Sequence, residues 1–67
     1  MFIVEWLKDT KEVHREAMLG SNVDDVLRVA IEEVPKLETR KLNPDTIRIY
    51  DASCNKTTVH KLGARDA

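Results

Sequence analysis

One cysteine, two glycines, two prolines and three aromatic residues stand among the 67 positions, and each shortage excludes something. Cys54 alone cannot close an internal disulfide, so an intracellular, reducing compartment, the cytoplasm, is expected. With Gly20 and Gly63 as the only glycines, no glycine-rich loop can cradle a phosphate. Phe2, Trp6 and Tyr50 are too few for a platform that stacks bases. No apolar run approaches the ~18 residues that a membrane span requires. Met1-Phe2-Ile3-Val4 meets Glu5 at once, so no secretory leader is expected.

What is present is charge and an ordinary supply of aliphatic residues. Charged residues make up 34% of the chain and apolar ones 42%, which suits one small folded domain better than a disordered tail. A core of this size has little stability to spare, and such domains often gain it by oligomerising. The charge is unevenly divided. Residues 1–35 hold four Lys/Arg and eight Asp/Glu, a net −4, whereas residues 36–67 hold seven and four, a net +3. An acidic half and a basic half can steer self-association or a partner.

Phe2 to Leu7 is dense in β-branched and aromatic residues and reads as a strand. Lys8 to Lys11 is turn-like, and His14 to Leu19, stopped by Gly20, reads as the second strand of a hairpin. Ser21 or Asn22 is the expected helix N-cap, with Asp24 and Asp25 favourable in the first turn. Apolar residues at 23, 26, 27, 30, 31 and 34 then follow helical spacing without a gap. Pro35 deprives the Ile31 carbonyl of its partner and pushes Val34 from the α region. The regular helix is therefore expected to end or kink near Glu33 or Val34, with a short helical turn following. Leu37 prolongs the apolar stripe and argues that the chain stays on course. Asn43-Pro44-Asp45 is a turn, Thr46 to Tyr50 a third strand, and Thr57 to Leu62 a fourth.

The order is β-β-α-β-β, an α+β domain over residues 1–63 with a polar tail at 64–67. A single helix is expected on one face of a four-stranded, mainly antiparallel sheet. Phe2, Val4, Trp6, Val13 or Arg15, Ala17, Leu19, Ile47, Ile49 and Val59 are the inward candidates, with Ile31 among the helix's core residues. The order resembles the β-grasp arrangement of ubiquitin-like domains. The diglycine end of conjugated members and sulfur carriers is missing, since the chain finishes Gly63-Ala64-Arg65-Asp66-Ala67, so no carboxy-terminal conjugation is expected. A simple antiparallel meander with the helix between its hairpins fits the same order.

One helix cannot cover both sheet faces. The second face is expected to bear Ile3, Leu7, Met18, Tyr50 and Leu62, mixed with Glu5, Glu16, Arg48 and His60, and forms the candidate interface. Cys54 has Lys56 nearby to lower its pKa, but a catalytic thiol also needs a base. His14, His60, Cys54 and Asp51 are metal-capable types without metal-ligand spacing, so neither a metal nor a cofactor is expected. Asp24/Asp25 and Glu32/Glu33 are accounted for by capping and solvation. The expectation is a non-enzymatic protein-interaction module that forms a homodimer through the open sheet face or an edge strand. The alternative is a nucleic-acid accessory role for a basic patch of Lys36, Arg40, Lys41, Arg48, Lys56 and Lys61.

Overall fold

The computed structural model describes residues 1–62. The expected tail at 64–67, and Gly63 before it, lie outside the described residues. Strands β1 (Phe2–Lys8) and β2 (Lys11–Met18) form a hairpin, helix α1 (Val23–Thr39) follows, and β3 (Thr46–Asp51) and β4 (Lys56–Lys61) form a second hairpin. The sheet order is β2-β1-β3-β4, and all three pairings are antiparallel. The expected α+β architecture is therefore present. The helix lies between two antiparallel hairpins, as expected, but the sheet is not the expected meander, because β3 pairs with β1 and not with β2.

The core lies between the helix and the two central strands. Phe2, Val4 and Trp6 of β1, Ile47 and Ile49 of β3, and Val26, Ala30, Val34 and Leu37 of α1 are all buried. The Trp6 indole N–H donates to the Ala30 carbonyl at 3.1 Å, which ties the helix to the central strand and satisfies the one polar atom of the ring. Gly20 is needed where β2 turns toward the helix. A Cβ there would lie 2.7 Å from Val26 Cγ2.

Three features depart from the expected layout. The first is the helix, which runs through Pro35 to Thr39 without interruption. Val34 and Leu37 flank the proline and are both buried, and burying two such side chains yields roughly 3–6 kcal/mol. That outweighs the ~3 kcal/mol an internal proline costs. Pro35 itself is exposed, and so is Ile31, whose carbonyl it leaves without a helix partner. The helix closes in a Schellman motif: Leu42 N–H to Leu37 O at 3.0 Å, Lys41 N–H to Glu38 O at 2.9 Å, with Lys41 at φ 64.

The second is Ile31, which is 41% exposed and not core. The buried stripe is narrower than the apolar one, because the small sheet contacts only its centre.

The third is the phase of β2 and β4. An irregularity opposite Trp6/Leu7 leaves Val13 as an extra residue in β2. Such a bulge resets the alternation. Met18, Glu16 and His14 stand opposite Phe2, Val4 and Trp6 on the helix side, while Ala17 and Arg15 stand opposite Ile3 and Glu5 on the other. Val13 does pack against the core, as one of its two options required. Ala17 and Arg15 point outward, and Leu19 lies past the strand end, exposed. On β4, His60 faces the helix side opposite Ile47, and Val59 faces outward opposite Arg48.

Candidate functional site

The sheet face away from the helix is uncovered among the described residues. Its middle row runs Arg15–Glu5–Arg48–Val59 across all four strands. Glu5 has only 9% of its surface exposed, although nothing packs on this face, because two guanidinium groups close over it. Arg15 Nη2–H donates to Glu5 Oε2 at 2.6 Å, and Arg48 Nε–H donates to Glu5 Oε1 at 2.5 Å. Arg15 also lies 3.3 Å from Glu12. In a regular strand, residues three apart face opposite ways; the bulge at Val13 puts Glu12 and Arg15 on the same side. Two carboxylates and two guanidiniums make this network neutral. The Arg48 contact above all, and then Arg15, hold the Glu5 carboxyl below its ordinary value, against burial, which acts the other way.

Apolar groups flank the network. Ile3, Ala17 and Tyr50 share one row, set by the Ile3–Ala17 and Ile3–Tyr50 pairings. They border a shallow depression that Glu5, Arg15, Glu16, Arg48 and Thr57 complete. Val59, 58% exposed, stands beside Arg48 toward the other end. A second depression there is lined by Leu7, Asp45, Thr46 and Lys61.

The expected interface set divides accordingly. Ile3 and Tyr50 lie half-buried on the open face. Leu7 lies on that side but is buried already. Met18 and Leu62 pack against the core on the helix side and do not contribute, because register assigns them there. Ala17 and Val59 were not anticipated on this face. For Val59 the misleading signal was its being the one aliphatic residue within β4, which suggested an inward position.

The basic residues are not gathered into one patch, although Arg48 and Lys61 both border the second depression. Lys36, Arg40 and Lys41 sit at the helix C-terminus, Arg48 is engaged with Glu5, and Lys56 and Lys61 occupy opposite ends of β4. Lys36 pairs with Glu33 at 3.6 Å.

Cys54 is exposed in the β3–β4 turn, and its thiol donates to Asp51 Oδ2 at 3.3 Å. That carboxylate pushes the thiol pKa up, the opposite of what Lys56 suggested. His60 is four residues from Lys56, about 13 Å along the strand. His14 packs on Trp6, with ring centroids 5.1 Å apart. Neither imidazole is placed to serve the thiol as a base. Among the described residues, no three His, Cys, Asp or Glu side chains gather where a metal ion could be held, and no helix is long and apolar enough to cross a membrane.

Comparison with family models, curated proteins and solved structures returns no match.

Proposed function

We propose that this chain is a small, non-enzymatic protein-interaction module that self-associates by packing two open sheet faces together. The observation that carries the reading is the neutral Glu5 row. A face destined for contact must be dehydrated, and an unpaired charge there costs several kcal/mol. Glu5, Glu12, Arg15 and Arg48 already neutralise one another, so a second copy can cover them without stranding a charge. Ile3, Ala17, Tyr50 and Val59 supply the apolar contact around them. Two such faces stack in the manner of a β-sandwich, about 10 Å apart.

The exposed free thiol of Cys54 suits a reducing, intracellular setting. A nucleic-acid role has less support, because its basic residues lie on separate surfaces. Amide NMR spectra recorded over a range of protein concentrations test the proposal. Shifts that grow with concentration at Ile3, Ala17, Tyr50 and Val59 support it. Shifts confined to the helix, or none at all, oppose it.

A further inference from the structure

A different surface fits a different partner. Strand β2 is an edge, so its outer backbone N–H and C=O groups have no strand partner among the described residues. The bulge at Val13 blunts the first half of that edge, leaving His14–Met18 open to pairing. The other edge, β4, carries Lys56 and Lys61 at its two ends, which discourages pairing there.

A groove runs between the open half of β2 and the helix. Val26 forms its buried floor, and Met18, Leu19 and Val29 its apolar walls. Leu19 is 87% exposed and Val29 43%, two of the five large apolar residues left in solvent among the described residues. The polar lining is unbalanced: Glu16, Asp25 and Glu33 against Arg28 alone. Asp25 and Glu33 hold ion pairs at 3.5 Å to Arg28 and 3.6 Å to Lys36, whose own side chains are exposed, and Glu16 lies 3.8 Å from His14. Exposed pairs of this kind are weak and exchange readily for a competing cation.

We infer that this groove takes an extended segment of another protein, added to β2 as a fifth strand, in which every second residue faces the groove and those residues are in turn apolar and basic. Main-chain hydrogen bonds to His14–Met18 hold the segment. The residues of the segment that face the groove bring apolar side chains to Leu19 and Val29 and cations to Glu16, Asp25 and Glu33, while the intervening residues face the open side of the sheet. Glu16 borders both this groove and the open-face depression, but Leu19, Val29 and Glu33 line the groove and not that depression, so substituting them distinguishes this inference from self-association.

The test is fluorescence anisotropy on the full chain with the labelled eight-residue peptide Val-Thr-Lys-Thr-Val-Thr-Lys-Thr, which puts valine and lysine on one face. Saturable binding is expected, weakened by salt and reduced roughly tenfold or more by Leu19→Ser combined with Glu33→Lys. Circular dichroism of that variant establishes that it is folded. The same peptide N-methylated at every residue, which has no N–H to give to β2, is expected not to bind, and neither is the peptide with glutamate in place of lysine. Equal binding of the N-methylated peptide, an unaffected variant, or no saturation by about 1 mM overturns the proposal. Self-association that Leu19→Ser abolishes overturns it too, because the groove then belongs to a second copy.

Discussion

Glu5 and Arg48 stand directly opposite each other on β1 and β3, and the arginine Nε–H donates to Glu5 Oε1 at 2.5 Å. With Arg15 on the other carboxylate oxygen, the pair draws the Glu5 pKa down. A group lowered in the folded state adds stability that is present above its unfolded pKa, about 4.3 for glutamate. That contribution is lost as pH falls through the lower folded value. Asp45, held down chiefly by the Asp9 N–H, and Asp51, held down by Ser53, act in the same direction.

Glu5→Gln is therefore expected to cost about 1–3 kcal/mol at neutral pH, since it weakens two charge-assisted bonds at a buried acceptor. It should also flatten the loss of stability below about pH 4 without removing it. Urea unfolding of both proteins at several pH values checks this. Parallel acid limbs would remove Glu5 from the account.

The β1–β2 turn is strained by its sequence. Asp9 and Thr10 have φ 52 and 69, the signature of a type I′ turn, in which a β-branched residue is poorly suited to the second position. Thr10→Gly is expected to stabilise the domain by about 0.5–1 kcal/mol, even with loss of the Thr10 hydroxyl bond to the Asp9 carbonyl. Thermal unfolding reads the effect. A lower melting temperature would show that the turn is not strained at Thr10.

Asn22, not Ser21, caps the helix, its Oδ1 accepting from the Asp25 N–H at 2.9 Å. Asn22→Ala should cost about 1 kcal/mol and Ser21→Ala close to nothing. Equal costs in denaturant unfolding would contradict the cap assignment.

Leu37 lies beyond the proline and is 2% exposed. Leu37→Ala should cost about 2–5 kcal/mol, enough to unfold so small a domain, whereas Ile31→Ala should cost under about 1 kcal/mol. A larger loss at Ile31 would mean that the helix is rotated from the orientation described.

Much of this architecture was legible because it rests on local periodicity. Residues 23 to 34 repeat at helical spacing, and Thr46 to Tyr50 alternate, so both elements follow from their own residues. The continuation through Pro35 was not legible, because it depends on Leu37 finding a buried site. The facing of β2 was hidden by the bulge at Val13. Either phase of Glu12–Leu19 offers apolar residues, and only pairing with β1 selects between them. The Glu5 network was legible only in part: alternation puts Glu5 and Arg48 on one face, but their standing opposite each other, 43 positions apart, follows from the β1–β3 register.

Self-association through the open face is tested most directly by sedimentation equilibrium from about 10 to 500 μM, comparing the wild type with Val59→Glu and Ala17→Glu. Both substitutions are at exposed positions on that face. The wild-type mass is expected to rise from monomer toward dimer, both variants to remain monomeric, and Ile31→Glu on the helix to associate normally. A wild type that stays monomeric throughout, or variants that associate equally well, would contradict the account.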